Sequence, residues 1–132
     1  MALTVPDVGE VLTLSYIVNK ATPSNVKLHL FSNNATISDS TVLGDLTECA
    51  ISGYSAITLT GSSWTVATNT GTTSATYAQQ TFTLTGSGNV YGYYVTDNAG
   101  TGLLWVEKFT DAPHTFPSGG GTEKITPYIE LA

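Results

Sequence analysis

The sequence predicts an all-β fold, an antiparallel β-sandwich or jelly-roll-like domain with a short N-terminal arm or helix. After residue 24, apolar and polar residues alternate with a period of two over several short stretches, as in half-buried strands. Segments rich in Gly, Ser, Thr and Asn, such as NTGTTS and GSGN, separate these stretches and are typical of turns. Strands at this spacing favour a sandwich over alternating strands and helices.

The chain is expected to form one domain over residues 1–132, with an N-terminal arm and short helix in 1–23 and the sandwich in 24–132. A chain of 132 residues is enough for one core that hides roughly two-thirds of the unfolded surface. Hydrophobic residues make up 41% of the sequence and charged residues 11%, and this composition argues against disorder.

The N-terminal segment PDVGEVLTLSYIVNK is open to two interpretations. Asp7 and Glu10 have the spacing of a capping box with Asp7 as the cap, and Asn19 suits the left-handed end of a helix. The apolar residues between Leu12 and Val18 also alternate, as in a strand. We favour the helix because the cap signal lies where the apolar run begins.

Four stretches in the first two-thirds of the chain are predicted strands. They are NVKLHLF (residues 25–31), SAITLTG (55–61), SSWTVAT (62–68) and AQQTFTLTG (78–86). In the first stretch Val26, Leu28 and Leu30 share one face and Lys27, His29 and Phe31 share the other. Trp64 alternates with Val66 in the third stretch, and Phe82 shares a face with Leu84 in the fourth.

The stretch VYGYYVTDNAGTGLLWVEKF predicts a hairpin of residues 90–96 and 103–109 joined by DNAGTG. Tyr93 and Tyr94 point to opposite faces, and so do Trp105 and Val106, so neither face is mostly polar. Such a hairpin is normally covered on both sides, here by the core on one side and by the N-terminal segment or a partner subunit on the other. Half-exposed tyrosines with hydrated hydroxyl groups are the alternative.

Aromatic residues are enriched at interfaces, so this hairpin and the arm of about residues 1–10 are the predicted contact surface. The candidate interface residues are Leu3, Val5, Tyr91, Tyr93, Tyr94, Trp105 and Phe109. A sugar-stacking platform is a competing hypothesis, formed by Trp64, Tyr93, Tyr94 and Trp105 if their rings are coplanar and exposed.

The C-terminal segment TEKITPYIELA predicts a strand that Pro127 interrupts. Proline cannot donate a ladder hydrogen bond, so this strand is expected at a sheet edge or with a bulge. The preceding SGGG, residues 118–121, predicts a flexible loop.

The charge balance excludes a nucleic-acid-binding function. The formal net charge is −6, the chain has four basic residues, and all four are lysines. Nucleic-acid binding requires a basic face and uses arginine to read guanine. The N-terminal residues lack a signal-peptide pattern and no stretch approaches the ~20 apolar residues of a membrane span, so we expect synthesis in the cytoplasm and no membrane contact.

The residues that could carry chemistry indicate no reaction, and no catalytic, cofactor-binding or metal-binding residue is assigned. His114 follows Asp111 by three positions, but no GxSxG-type nucleophile motif is present. The single cysteine, Cys49, excludes an intrachain disulfide and a Cys-based zinc site and is expected to be buried. Residues 97–100 lack the ligand spacing of an EF-hand, and the sequon at Asn34 is a chance match.

The chain resembles a family of small β-rich proteins encoded among the virion genes of tailed bacteriophages. The similarity is carried by SGYSAITLTGSSW, QQTFTLTG, VYGYYVTD and LLWVEKFTDAP, and it extends from MALTVPDVGE through VKLHLFSNN to ITPYIELA. These motifs are strand pieces without chemistry. The resemblance implies attachment to a virion and no enzymatic activity.

Within that resemblance, a capsid decoration (cement) protein is the expected function. A small acidic domain suits the outer surface of a shell, because packaged DNA would repel it. The expected partners are the major capsid protein or other virion proteins, the expected assembly is a homodimer or homotrimer, and the expected location is the virion. A tail, connector or head-fibre component and a carbohydrate-binding module are the alternatives.

Overall fold

The alternating stretches of the sequence form antiparallel β-strands, which confirms the all-β, sandwich-like fold with one short N-terminal helix. The computed structural model describes residues 3–131. Its elements are α1 (Asp7–Ile17), β1 (Val26–Phe31), β2 (Ile57–Leu59), β3 (Thr65–Asn69), β4 (Thr72–Thr76), β5 (Gln80–Leu84), β6 (Gly88–Val90), β7 (Gly92–Asp97), β8 (Leu103–Lys108), β9 (His114–Phe116), β10 (Gly121–Ile125) and β11 (Tyr128–Leu131).

The largest sheet has the strand order β2-β1-β7-β8. Smaller sheets have the orders β11-β4-β3, β10-β5 and β6-β9, and every pairing is antiparallel. The predicted hairpin is confirmed as β7 and β8, in which Val95 pairs with Trp105. A bulge follows, because Thr96 pairs with Leu103 and leaves Leu104 without a partner across the ladder.

Both faces of the large sheet are buried within the chain. One face forms the main core, where Leu28, Leu30, Tyr93, Val95 and Trp105 meet Phe82, Leu84, Phe116 and Ile125 from the smaller sheets. The other face forms a second core, where Phe31, Tyr94, Leu103 and Val106 meet Ala35 and Leu46. Residues 32–46 thus cover the side of the hairpin that was expected to meet the N-terminal segment or a partner.

The predicted N-terminal helix is confirmed as α1, although its cap differs from the expectation. Pro6 is the N-cap and is extended, so Asp7 is the first helical residue and not the cap. Proline suits this position because it fixes φ and has no N–H to leave unpaired. Asn19 has a φ of 59°, the left-handed conformation predicted for the end of the helix.

Residues 3–6 are attached to the sheet, in contrast to the free arm expected over residues 1–10. Thr4 and Val106 exchange backbone hydrogen bonds of 2.9 Å, which pairs the arm with the free edge of β8. A Cβ on Gly9 would lie 2.1 Å from the Leu104 carbonyl oxygen, so the helix backbone contacts β8 directly. Met1 and Ala2, also part of the expected arm, lie outside the described residues.

Two turn predictions are wrong in extent. In NTGTTS only Thr70 and Gly71 form the turn, with φ values of 51° and 85°, and the following residues begin β4. In GSGN, Gly88 begins β6. Both short strands lack large apolar residues at alternating positions, so the sequence pattern does not distinguish them from turns.

Pro127 is fully buried and separates two strands instead of interrupting one. β10 pairs with β5, and β11 pairs with β4 in another sheet. Both strands lie at sheet edges, as expected beside a proline. Gly120, in the predicted flexible loop, has a φ of 75°, and a Cβ there would lie 1.9 Å from the Leu84 carbonyl oxygen, so this turn is closely packed.

Candidate interaction surface

The aromatic residues predicted to contact a partner are covered by the chain itself. Tyr93, Tyr94 and Trp105 are only 5%, 3% and 6% exposed. The remaining four candidates, Leu3, Val5, Tyr91 and Phe109, are half-buried and pack against the two cores. The hairpin therefore does not offer an exposed aromatic docking face, contrary to the hypothesis from the sequence.

Trp105 also does not form the coplanar platform of a sugar-binding site. Its ring meets Trp64 edge to face, with centroids 6.2 Å apart and planes at 70°. Trp64 makes a second edge contact with Tyr77. The indole N–H of Trp105 is buried and has no hydrogen-bond acceptor among residues 3–131. Trp105 therefore acts as a core residue.

Tyr94 packs against a partly buried polar network on the other face of the sheet. It stacks on His29, with centroids 4.6 Å apart. The Nδ1 atom of His29 lies 2.8 Å from a Glu48 carboxylate oxygen, and its Nε2 atom lies 2.9 Å from the Thr96 hydroxyl. Partial burial acts to raise the pKa of Glu48, but hydrogen bonds with His29 and Tyr54 lower it. The network therefore holds a carboxylate in place and connects β1, β7 and residue 48.

His114 is held at both ring nitrogens and cannot serve as a free general base. Its Nε2 atom lies 2.8 Å from Asp111, its Nδ1 atom lies 2.8 Å from Glu123, and its ring stacks on Phe109. Burial acts to lower the pKa of His114, but the hydrogen bonds to both carboxylates raise it. This arrangement favours an imidazolium clamped between two carboxylates.

Cys49 and the acidic residues give no sign of a reactive or metal-binding centre in the described part of the chain. The thiol is buried, and burial raises its pKa, which keeps it protonated at neutral pH. Across residues 3–131, no three His, Cys, Asp or Glu side chains are placed to hold a metal ion. No helix in that range is long and apolar enough to cross a membrane.

Five of the eight large apolar side chains that are exposed in the described residues lie on helix α1 or at its C-cap, and the other three are Val42, Val66 and Leu131. The inner side of the helix is covered, because Gly9 is buried and Leu12 and Tyr16 pack against the main core. The opposite side faces solvent and is also apolar, and its four large residues are 60% to 73% exposed. We name this side the outer helix face: Val11, Leu14, Ile17 and Val18.

An apolar hollow lies on each side of the helix. The larger has a volume of about 490 Å³ and is lined by Val8, Ala21, Val42 and Leu43 among others. The smaller has a volume of about 240 Å³ and extends from Thr13 of the helix to Val66, Ile129 and Leu131 of the β11-β4-β3 sheet. The outer helix face is thus a ridge between two apolar grooves.

Along residues 7–20 charged side chains lie only at the two ends, although Glu130 borders the smaller groove. Asp7 and Glu10 lie in the first turn, where the helix dipole favours carboxylates. Residues 11–19 carry no charge, and Lys20 follows the end of the helix. A surface helix normally places polar residues on its solvent side, so an apolar solvent side indicates a contact that the single chain leaves unmade.

Sequence reasoning missed this surface although a signal was present. Val11, Leu14 and Val18 have the i, i+3, i+7 spacing of one helical stripe, while Leu12 and Tyr16 occupy another. Apolar residues at both sets of positions indicate a helix that is apolar all round. Because the pattern of this segment fits either a helix or a strand, the sequence does not show which of its side chains face the core and which face solvent.

Comparison of the chain with models of protein families, with curated proteins and with solved structures finds no match.

Proposed function

We propose that the chain is a structural protein of a tailed-bacteriophage virion, a capsid decoration protein that binds the outer shell and stabilises it. The observation that carries the proposal is the outer helix face, four large apolar side chains exposed on a helix that is also apolar inside. The location in the virion is proposed because strand motifs such as SGYSAITLTGSSW and LLWVEKFTDAP resemble those of virion proteins. The proposal assigns no reaction to the chain.

The mechanism is burial of the outer helix face against virion subunits or against further copies of the chain. Complete burial of one Val, Leu or Ile side chain contributes about 1.5–3 kcal/mol before the cost of association is subtracted. A unit of several copies that binds the shell at several points gains avidity, since one contact holds the others at high local concentration. A unit that contacts two shell subunits at once opposes their separation.

The charge of the molecule supports an external position on the shell. The net charge is −6 and no arginine is present, so packaged DNA would repel the chain. The proposed partners are the major capsid protein or other virion proteins, and the proposed location is the virion.

The number of copies per particle tests this assignment. Quantitative mass spectrometry of purified virions that encode the chain should find it in numbers comparable to those of the major capsid protein. A tail, connector or head-fibre component would be present in a few copies, and that result would reject capsid decoration. Absence from the particle would reject a virion function altogether.

A matched pair of variants tests the surface. Leu14→Glu places a charge in the centre of the outer helix face without a poor helix former, because Glu and Leu have similar helix propensities. Thr83→Glu adds the same charge at an exposed position of β5. Shells that lack the chain should be stabilised against heat by the wild-type chain and by Thr83→Glu but not by Leu14→Glu. Equal stabilisation by all three would show that docking does not use the outer helix face.

A further inference from the structure

We propose that the outer helix face is the two-fold interface of a homodimer, in which α1 of one copy packs antiparallel against α1 of a second copy. The inference rests on the proposed function, because it names the occupant of the surface through which the chain is proposed to associate. It commits to a second copy of the chain and not to another protein or a lipid surface.

The spacing of the apolar residues fits a helix pair. Val11, Leu14 and Val18 follow one another at intervals of three and four residues, the repeat by which two helices interlock along a seam. From Val11 to Val18 the seam extends over seven residue steps, which is about 10 Å at 1.5 Å per residue. A two-fold axis near Leu14 places this residue beside its own copy and places Val11 beside Ile17 of the second chain. A two-fold interface requires such self-complementarity.

The charges at the ends of the seam select the antiparallel orientation. Asp7 and Glu10 lie at one end and Lys20 lies at the other. Antiparallel packing brings each pair of carboxylates towards the ammonium group of the second copy, whereas parallel packing would bring four carboxylates together. The helix dipoles also oppose each other favourably in the antiparallel pair. The negative chain is a poor match for an anionic lipid surface.

The larger groove beside the helix supplies the remaining contact area. A stable interface needs about 800 Å² from each partner, which is more than one short helix face provides. The larger groove, between α1 and the wall formed by Val42 and Leu43, is open beside Val8 and Val11. Two helices placed side by side each project the side chains of the seam towards the groove of the other. The apolar walls of the groove are buried in the same step.

The oligomeric state of the purified chain tests the interface. Analytical ultracentrifugation at micromolar concentrations should give a dimer for the wild type and for Thr83→Glu, and a folded monomer for Leu14→Glu. Circular dichroism checks that the variant keeps the wild-type β signal. A monomeric wild type, a trimer, or a dimer that persists in Leu14→Glu would contradict the proposal.

A cysteine placed near the two-fold axis tests the geometry. Leu14→Cys should form a disulfide-linked dimer on mild oxidation, because the two sulfur atoms face each other across the seam. Cys49 is buried and does not compete, and Thr83→Cys serves as the exposed control. If Leu14→Cys cross-links no faster than Thr83→Cys, the seam is not centred on residue 14.

Charge exchange tests the orientation. Lys20→Glu should weaken the dimer several-fold to about tenfold, since two symmetric ion pairs become repulsive contacts. Adding Asp7→Lys to Lys20→Glu should restore most of the lost affinity in an antiparallel pair. Failure of the double variant to recover would contradict the antiparallel orientation.

The dimer proposal and the decoration proposal can be rejected independently of each other. A chain that dimerises through Leu14 but is absent from virions, or present in few copies, would support the dimer and reject decoration. A chain that is monomeric in solution yet covers the shell in many copies would support decoration and reject the dimer.

Discussion

Trp105 shows how a residue that indicates an interface in the sequence can belong to the core in the structure. A large aromatic residue on a strand that is apolar on both faces fits either position. The choice depends on Trp64 and on residues 32–46, which cover the two faces of the hairpin and are distant in the sequence. No local pattern around residue 105 contains that information.

Trp105→Ala should therefore lower the free energy of unfolding and should not remove a docking site. The loss of a buried Trp side chain costs about 3–5 kcal/mol through lost contacts and the cavity left behind. Urea unfolding followed by circular dichroism measures this change. Val66→Ala is the control, because Val66 is 68% exposed and its truncation should change the free energy of unfolding by less than about 0.5 kcal/mol. Similar stability of the two variants would contradict the buried position of Trp105.

His114 should make stability depend on pH. Its pKa in the folded protein is raised, against the effect of burial, by hydrogen bonds to Asp111 and Glu123. The stabilisation is fully present below the unfolded pKa of about 6.5 and is lost as the pH rises through the folded value. The free energy of unfolding of the wild type relative to His114→Gln should therefore decrease as the pH rises above about 6.5.

Asp111→Asn provides the control for this titration. Removing the Asp111 carboxylate leaves Glu123 as the only anionic partner in the clamp, so the pKa of His114 should decrease. The NMR chemical shifts of the His114 ring protons measure it directly. An unchanged midpoint in Asp111→Asn would show that the 2.8 Å contact to Asp111 does not persist in solution.

At the scale of elements, β1 and the hairpin of β7 and β8 were predictable because their alternation is strong and their connection has turn residues. β4 was not predictable, since TTSAT offers no large apolar side chain to define a face. The cap of α1 was placed one residue too late, because Asp7 resembles a capping residue while Pro6 determines where the helix begins.

The contact between α1 and β8 should reverse the usual effect of a glycine replacement. Gly9→Ala in an exposed helix would be favourable by about 1 kcal/mol. Here the new Cβ would lie 2.1 Å from the Leu104 carbonyl oxygen, so the helix must move away from the strand and the variant should be less stable than the wild type. Thermal unfolding measures the sign of the change.

Thr13→Ala is the matched change on the same helix. Thr13 is exposed and its hydroxyl donates only to the Gly9 carbonyl within α1, so the variant should be neutral or slightly more stable. A stabilising Gly9→Ala would mean that the helix backbone does not rest on β8.

At the scale of the whole molecule, the structure leaves several large apolar side chains exposed, but they do not lie on the hairpin where the sequence predicts them. The chain covers both faces of its large sheet, and it leaves the outer side of α1 uncovered. The sequence could predict the class of fold, but it placed the uncovered apolar surface on the hairpin, where the side chains are buried. The hairpin is covered because residues 32–46 pack on it, and the periodicity of the hairpin itself does not reveal a contact so distant in the sequence.

Dimerisation should make the apparent stability depend on protein concentration. A folded dimer that unfolds to single chains melts at a higher temperature as the concentration rises, by mass action. The melting temperature of the wild type should increase over a hundredfold range of concentration, whereas that of Leu14→Glu should stay constant. Differential scanning calorimetry measures both. A constant melting temperature in the wild type would speak against the two-fold interface.

The turn between β3 and β4 is a suitable site for inserting a peptide. Every residue of β3 is exposed, Thr70 and Gly71 form the reversal, and a Cβ on Gly71 would have no neighbour within 4 Å. An epitope or fluorescent peptide spliced into this tip with glycine spacers would extend into solvent and leave both cores intact. The molecule therefore contains its own attachment point for a reporter, through which its location can be followed in a microscope.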